Sequence, residues 1–503
     1  MRQTISIIYI LLFICNHAES YAKGNMIVTV NNIIEFREAI RNSNLTIKIN
    51  GTIDLLGESI SLPSSCNLLL SKGKIVNGKL KGNDTKIQVE KPSSLGVILY
   101  GTWICPIIDD IYFSSAILSD DDIFTNINNL QSKNVHNTIY LKKKHYFVSI
   151  KESGGYALSL IDNTKLINES EIEIKSNNYK SYSIILISNS NNVEVLGGKI
   201  KGDVGRHHYL QGTTSEWGMG VRITTSTNVS VHDIYISNCT GDGIYITGLP
   251  TDYISDYSKA SKNIVLRKVV CDFNRRQGLS VICVDGLLVE GCTFSNTGRI
   301  EKIPPSAGID IEPNVNQGLH NSVRNILIKD CMFKGNAGRS FDADAGVSDG
   351  YKDNFENIIV TDCIADGPFF FGAQNIKVEK SKMESIIIRP YEAPVLCIID
   401  KCKIFGHGII IKDVLKHDIL YVNRRRPKYL VDVRINRCNL TIHPKSYKKE
   451  TKLVKFECKP IRNSIISFNS CSISVPNSQA IEIDNPKVGL VSFNSCHITF
   501  NGD

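Results

Sequence analysis

The sequence lacks several features that would assign it to a common class of protein. After the N-terminus, no stretch is long and apolar enough to cross a membrane as a helix. No cysteine pair has the CxxC spacing of a zinc site. The net charge of +8 is small for 503 residues, and no basic stripe with interleaved aromatic residues is present, so we expect no nucleic-acid partner. What is left is an ordinary globular composition, long enough to bury a large core.

The N-terminal residues have the pattern of a secretory signal peptide. Arg2 precedes an apolar run from Ile5 to Cys15, and small residues follow up to Ala22. The run is too short to span a bilayer comfortably. We therefore predict a signal peptide over residues 1–22 and a protein that is secreted or periplasmic.

The 15 cysteines do not form the close pairs of a disulfide framework. Most recur singly, in short β-like segments spread along the chain. The clearest examples are Cys239, Cys271, Cys292, Cys331, Cys363, Cys402, Cys438, Cys471 and Cys496. We interpret them as small buried side chains in a stack of strands, with scattered disulfides as the alternative.

Residues 23–150 combine short amphipathic helices with strand-like segments. Ile33, Phe36 and Ile40 lie on one face of a short helix, which the strand-like TIKINGTIDL follows. The stretch 120–148 repeats this order of a helix and then strands. Such elements can cover the open end of a stacked β-structure, which otherwise exposes unpaired edges. We predict an N-terminal cap region with the first coils.

From residue 151 to 503 the sequence repeats a short unit. Its marker is an Asn followed by an alternating apolar strand. The marker occurs at Asn192, Asn228, Asn263, Asn325, Asn357 and Asn375, with Gly286 in the same slot. The period of two and the β-branched residues exclude helical repeats, and a β-sandwich does not predict a recurring Asn slot. We predict an all-β, single-stranded parallel β-helix in which Asn occupies tight turns.

On these residues the chain resembles the right-handed parallel β-helix proteins of the pectate-lyase-like superfamily. The cap helix with NGTIDL, the coil NNVEVLGGKIKGD and the repeated Asn-apolar strands carry the resemblance, which covers roughly residues 25–500. It implies a right-handed, pectin-lyase-like β-helix with an N-terminal helix and strand cap. The superfamily includes lyases, glycoside hydrolases, epimerases, esterases and phage tailspikes, so the resemblance does not choose a reaction.

Alignment of the coils on a recurring glycine places polar residues in one outward row. The aligned glycines are Gly220, Gly243, Gly278, Gly308 and Gly338, and the row is Arg222, Tyr245, Ser280, Asp310 and Ser340. Neighbours in such a row are about 4.8 Å apart. We therefore predict that Asp242, Arg276, Asp310 and Glu312 lie together on one exposed face.

The three carboxyls of this face are the candidate catalytic residues. Glycoside hydrolysis needs one carboxyl as an acid and another as a base or nucleophile, and carboxylates this close raise one another's pKa. Asp242, Asp310 and Glu312 can supply that set, although Asp242 can also be a plain turn residue. Arg276 is either a clamp for substrate or one member of a solvated charge pair.

A long insertion just before the acidic coils adds candidate substrate contacts. It contains His207, His208, Glu216 and Trp217, and we expect it to overhang the groove. The flat face of Trp217 suits a pyranose ring, but the residue can equally pack the loop against the scaffold. Two adjacent histidines in an extended strand point apart, so we predict no metal site there.

The leading hypothesis is a carbohydrate-active enzyme that hydrolyses a polysaccharide, with Tyr245 and Arg222 completing the substrate contacts. We expect a monomer without a cofactor. The alternative is a polysaccharide lyase that acts on a uronic-acid polymer. Arg276 with His208 or Tyr245 would then lead, and Ca²⁺ could take part. A non-catalytic glycan-binding β-helix is the third hypothesis.

Overall fold

The computed structural model describes residues 26–253, 256–313, 315–316, 319–344, 355–373, 375–388, 395–411, 431–442, 453–456, 465–478 and 490–500. They form two compact units that divide between Val135 and His136. The predicted signal peptide over residues 1–22 lies outside the described residues. Neither described helix has the length and hydropathy of a membrane span.

The first unit contains a parallel sheet and both helices. The helices are α1 (Ile33–Ala39) and α2 (Asp120–Leu130), with a 3₁₀ turn at Asp110–Tyr112. The strands are β1 (Ile27–Val30), β2 (Thr46–Ile49), β3 (Thr52–Asp54), β4 (Ser59–Ser61), β5 (Asn67–Leu70), β6 (Lys74–Val89), β7 (Ser94–Ile104) and β8 (Ile107–Asp109). Strands β1 to β7 pair in parallel. The predicted helices and strands of this region are confirmed.

Helix α2 forms because its start is capped and its apolar face is buried. The Ser119 hydroxyl accepts from the backbone N–H of Asp122, and the Asp122 carboxylate accepts in return, which completes a capping box. Asn126 is fully buried, and its side-chain amide bonds the backbone of β7, accepting from Leu99 at 2.8 Å and donating to Val97 at 2.9 Å. These bonds satisfy β7 backbone groups that would otherwise be buried without a partner.

The second unit is a parallel β-helix with three columns of strands, here named the first, second and third faces. The first face is β9 (Asn137–Leu141), β12 (Thr164–Asn168), β15 (Asn191–Leu196), β18 (Thr227–His232), β21 (Ser261–Arg267), β24 (Val284–Glu290), β29 (Val323–Lys329), β32 (Phe355–Thr361), β35 (Ile376–Glu379), β37 (Val395–Asp400), β39 (Val431–Asn436), β42 (Ile465–Asn469) and β44 (Leu490–Asn494).

The second face is β10 (His145–Val148), β13 (Glu171–Ile174), β16 (Lys199–Lys201), β19 (Tyr235–Ser237), β22 (Val270–Asp272), β25 (Thr293–Ser295), β30 (Met332–Lys334), β33 (Ile364–Ala365), β36 (Lys382–Ile388), β38 (Lys403–Ile411), β40 (Asn439–Thr441), β43 (Ser472–Val475) and β45 (His497–Phe500). Strands β36 and β38 are long enough to continue into the third face, where they pair with third-face strands.

The third face is β11 (Tyr156–Leu160), β14 (Ser181–Ser188), β17 (Trp217–Thr224), β20 (Asp242–Thr247), β23 (Gln277–Val281), β26 (Ala307–Ile311), β31 (Phe341–Asp344), β34 (Phe369–Gly372) and β41 (Val454–Phe456). A short antiparallel hairpin, β27 (Val315–Asn316) and β28 (Leu319–His320), follows β26. The chain passes through the three faces in turn, so each full coil contributes three strands and the predicted parallel β-helix is confirmed.

The recurring asparagines mark the entry of the first-face strands. All six predicted positions have a left-handed backbone, with φ between +53° and +62°, and Gly286 in the same slot has φ +86°. Their amides also bond from coil to coil: Asn263 Nδ2 donates to Asn228 Oδ1 at 3.0 Å, and Asn357 Nδ2 donates to Asn325 Oδ1 at 3.1 Å. Asparagine tolerates this conformation and bridges neighbouring coils, which explains the repeat.

The interior of the second unit is a stack of apolar side chains and thiols. The 13 cysteines within the described residues are free, and all except Cys496 are buried. Burial raises the pKa of the Cys397 thiol, which keeps it protonated. From coil to coil, the Phe333 ring stacks on Phe294 and meets Phe369 edge-on, with centroids 5.7 and 5.8 Å apart. The interpretation of the cysteines as small core residues is confirmed.

Candidate active site

The third face carries the predicted polar row. Arg222 pairs with Tyr245, Tyr245 with Ser280, and Ser280 with Asp310 in successive parallel strands. Asp310 then pairs with Asp342. The row from arginine to aspartate is therefore present over four strands as the sequence predicted, and it continues into a further carboxyl.

A glycine ladder sets this register. A Cβ atom on Gly243 would lie 2.7 Å from the carbonyl oxygen of Gly278, one on Gly278 would lie 2.5 Å from that of Gly308, and one on Gly308 would lie 2.6 Å from that of Ser340. No side chain fits at those distances. The next position in this column of glycines is therefore occupied by Ser340 and not by Gly338.

The placement of Ser340 in the outward row was wrong. Ile309 pairs with Phe341, so the strand is displaced by two residues from the alignment on Gly338. Asp342 takes the row position, and Ser340 takes the glycine position, where its side chain is buried. Alignment on Gly338 failed because this glycine meets a different requirement: a Cβ atom there would clash with the backbone of Pro305.

The row is buried from Tyr245 to Asp310, and so is the adjoining Asp242, whereas the sequence predicted an exposed face. Asp242 is 0% exposed, Asp310 2% and Tyr245 6%. The Trp217 ring meets the Tyr245 ring edge-on with centroids 5.9 Å apart, and the Arg276 guanidinium lies 5.8 Å from the Trp217 ring. Large side chains from neighbouring strands thus cover positions that strand alternation alone places on the surface.

Arg276 connects the acidic side chains. Its Nη1 donates to Asp242 Oδ2 at 3.2 Å, its Nη2 lies 3.8 Å from Glu312 Oε2, and its Nε lies 3.9 Å from Glu216 Oε2. These carboxylates raise the pKa of Arg276 against the opposing effect of burial, so the guanidinium stays charged. The structure therefore brings three of the predicted residues together around a fourth, Arg276.

Asp310 and Glu312 occupy contrasting environments on one strand end. Asp310 is buried, and its Oδ2 accepts from Gln277 Nε2 at 2.6 Å. Burial and the neighbouring Glu312 carboxylate raise the pKa of Asp310 well above its usual range. The side chain of Glu312 is 34% exposed and faces Arg276. Burial raises the pKa of Glu312 too, but Arg276 opposes it. One proton shared by the two carboxyls is therefore expected to reside on Asp310.

Asp242 titrates close to neutral pH. Burial raises its pKa to about 6, against the lowering effect of Arg276. The Arg276 guanidinium and the Ser280 hydroxyl offset the effect of burial only in part. An ionised Asp242 therefore destabilises the fold, and this cost is absent when the group is protonated.

This pKa predicts how stability depends on pH. The folded chain keeps the proton of Asp242 up to about pH 6, whereas an ordinary aspartate releases it near 3.8, so stability is lost as pH rises through this window. Relative to Asp242→Asn, the wild type should lose about 2–3 kcal/mol of unfolding free energy between pH 4 and pH 8. Denaturant unfolding at both pH values measures the difference.

Asp285→Asn is the control, because the contribution of Asp285 to stability should change with pH in the opposite direction. The Arg324 guanidinium, which donates to Asp285 at 2.7 Å, lowers the pKa of that carboxyl. Asp285 therefore contributes stability at neutral pH that is lost as pH falls. A gap between wild type and Asp242→Asn that is the same at both pH values would contradict the assignment for Asp242.

The acidic cluster around Arg276 also contains two residues that the sequence analysis missed as site residues: Gln277 and Arg339. Gln277 is the strand neighbour of Asp242, and its Nε2 donates to the Asp310 carboxyl. Arg339 contacts the Asp342 carboxylate. Gln277 precedes Gly278 just as Asp242 precedes Gly243, which is a signal that the alignment contained.

The insertion that carries the predicted substrate contacts has two parts: one is buried, and the other reaches the acidic side chains around Arg276. The side chain of His207 has no exposed surface; its Nδ1 lies 3.0 Å from Asp203 Oδ2, and Tyr182 donates to Asp203 Oδ1 at 2.7 Å. This gives His207 a packing role that does not fit the predicted substrate contact. His208 is exposed, and its backbone N–H donates to the Asn177 carbonyl.

Glu216 and Trp217, by contrast, do reach the acidic cluster. They lie at the end of the insertion and the start of β17, where Glu216 faces Arg276 and the Trp217 side chain is 39% exposed. Arg222 lies farther along the row, with its guanidinium 5.7 Å from the centre of the Tyr245 ring.

One group among the described residues has the composition and spacing of metal ligands. His145, Glu171 and Glu173 place their ligand atoms within 4.8 Å of one another on the second face. Arg206 and Lys201 lie 2.6 and 3.4 Å from the Glu173 carboxylate. These cations neutralise Glu173, so we interpret the group as a network of ion pairs.

Comparison with known proteins agrees with the strand pairing. The family model described as right handed beta helix region matches residues 117–323. The chain is 32% identical over 200 residues to the SPbeta prophage-derived uncharacterized protein YorA of Bacillus subtilis (strain 168), covering 38% of this chain and 34% of YorA. It is 31% identical over 175 residues to the uncharacterized protein YclG of the same organism, covering 34% of this chain and 30% of YclG.

The chain therefore spans about a third of the length of each curated relative. Among solved structures, the A-module of the Azotobacter vinelandii mannuronan C-5 epimerase AlgE6 is similar, with a TM-score of 0.48 and 14% identity over 72% of this chain and 91% of that module. The protein is a right-handed parallel β-helix.

Proposed function

We propose that this right-handed parallel β-helix protein is a carbohydrate-active enzyme that hydrolyses glycosidic bonds of a polysaccharide. The observation that carries the proposal is the asymmetric pair of Asp310 and Glu312. One carboxyl is buried with a raised pKa, and the other is a third exposed and faces a cation. Two carboxyls with opposite protonation in one site are what this hydrolysis requires.

The proposed roles follow from these environments. Asp310 donates its proton to the glycosidic oxygen as the bond to the anomeric carbon breaks. Glu312, which is the more exposed of the two carboxyls and faces Arg276, acts on the anomeric side as base or nucleophile, and one water molecule is consumed overall. Asp242 and Gln277 are positioning residues: Asp242 holds Arg276, and Gln277 holds the Asp310 carboxyl.

The same environments disfavour Tyr245 and Arg276 as the base of a lyase, which has to remove a proton next to a uronic carboxylate. Burial raises the pKa of Tyr245, and the surrounding carboxylates raise that of Arg276. Both groups therefore hold their protons at neutral pH. The lyase and the non-catalytic binding protein remain as outcomes of the test.

Two readouts on a panel of plant, algal and host polysaccharides test the proposal. We expect reducing ends to appear without the ultraviolet absorbance of an unsaturated uronic end. Growth of that absorbance would overturn hydrolysis in favour of elimination. Retention of glycans with neither signal, unchanged in Asp310→Asn, would leave a binding protein only. Export, a monomeric state and independence of a cofactor are further parts of the proposal.

A further inference from the structure

The acidic cluster contains more carboxyls than cations. Its acidic side chains are Glu216, Asp242, Asp310, Glu312, Asp342 and Asp344, and its basic side chains are Arg276 and Arg339. Even with Asp242 and Asp310 protonated, the carboxylates outnumber the guanidinium groups. A ligand bound here meets a negative potential.

Both arginines are already engaged by the protein. Arg276 serves three carboxylates, at 3.2, 3.8 and 3.9 Å. Arg339 contacts Asp342, and its guanidinium lies 3.8 Å from the centre of the Phe370 ring. A carboxylate of a substrate would have to compete with these partners, because the described part of the cluster contains no further arginine or lysine.

A uronic acid over Asp310 and Glu312 would therefore carry an unpaired charge. Like charges a few ångströms apart repel strongly when they are partly buried, and desolvating an unpaired carboxylate adds to the cost. The next guanidinium of the row is Arg222, three strands away from Asp310. At about 4.8 Å per strand it is too distant to compensate a charge at the cleavage point.

Apart from the two arginines, the side chains of the acidic cluster suit an uncharged sugar. Carboxylates can accept hydrogen bonds from sugar hydroxyls. Trp217 presents an exposed ring at the edge of the cluster, and the apolar face of a pyranose can pack on it. Arg276 beside this ring is already neutralised.

We infer that the sugar unit bound over Asp310 and Glu312 is uncharged, and that the substrate class is a neutral polysaccharide and not a polyuronate. This inference rests on the proposed function, because it concerns the same site. It differs from the uronic-acid polymer that the lyase alternative requires.

Binding of polysaccharides to Asp310→Asn tests the inference. Asn replaces a carboxyl that is held protonated, so this variant preserves the charge of the site while it removes the acid. Affinity electrophoresis at physiological ionic strength compares neutral glucans, mannans and galactans with polygalacturonate and alginate. We expect retention by at least one neutral polymer, at least tenfold weaker retention by the polyuronates, and loss of the neutral retention in the double variant with Trp217→Ala.

The outcomes separate this inference from the proposed function. Polyuronate retention that Trp217→Ala abolishes would overturn the inference, and so would retention of neither class. Neutral retention by a wild type that releases no reducing ends would keep the inference and overturn hydrolysis. Glu312→Gln, which removes a charge, is expected to strengthen polyuronate retention about tenfold; an unchanged value would contradict the electrostatic argument.

Discussion

Glu312→Gln and Asp310→Asn should each lower kcat for polysaccharide hydrolysis by about 10²–10⁴-fold. Asn at position 310 cannot donate the proton that burial holds on Asp310. Gln at position 312 cannot act as base or nucleophile, although it has the shape of the carboxylate that faces Arg276. Initial rates of reducing-end release on the best substrate of the panel measure both effects.

The matched control is Glu194→Gln. Glu194 has the same exposed fraction of its side chain as Glu312, 34%, but it lies on the first face and pairs with Lys165 and His232. Its replacement should leave kcat within about twofold, because a surface ion pair contributes little. A Glu312→Gln enzyme that folds and retains more than a tenth of the wild-type kcat would remove Glu312 from the catalytic set.

Phe333→Ala should lower the free energy of unfolding by about 3–5 kcal/mol. The residue is 1% exposed, and its ring stacks on Phe294 and meets Phe369 edge-on in the coil interior. Its ring also lies against Gly308, at 2.7 Å from where a Cβ atom would stand. The cavity therefore opens directly beneath the strand that carries Asp310. Denaturant unfolding monitored by circular dichroism measures the loss.

Phe405→Ala separates this effect from a general loss of aromatic surface. Phe405 is 37% exposed, with the Lys382 ammonium 5.0 Å from its ring. Its replacement should cost less than about 1 kcal/mol, as exposed positions do. Equal destabilisation by the two variants would show that the stack of rings contributes no more than surface packing.

The sequence alone was sufficient for the fold. A local structural requirement that recurs in every coil is visible in the sequence as a recurring residue type, because each coil has to meet it again. Asn228 and Asn263 show this for the left-handed turn, and Gly278 and Gly308 show it for the close approach of backbones. The same repetition was enough to align Asp310 with Tyr245 and Ser280. It failed at Ser340, where the residue in the glycine position is no longer a glycine.

The absence of paired cysteines was informative about the core but not about the site. The lack of paired cysteines correctly indicated a thiol-lined core, because a stack needs small buried side chains at a fixed position. It provided no information on the site. His207 shows why: the residue type is typical of catalysis, but its partner Asp203 and its complete burial are decided by how the insertion folds back on itself.

What only the tertiary structure decided is the electrostatics of the acidic cluster. Strand alternation places a side chain on a face, but burial depends on what side chains of other coils cover it. Trp217 and Arg276 cover the row and remove Asp242 from water, which raises its pKa. The contrast between Asp310 and Glu312 arises in the same way, because Gln277 and Arg276 come from a neighbouring coil. The sequence specifies which ionisable residues form such a site, but the stacking of the coils determines their burial and therefore their protonation states.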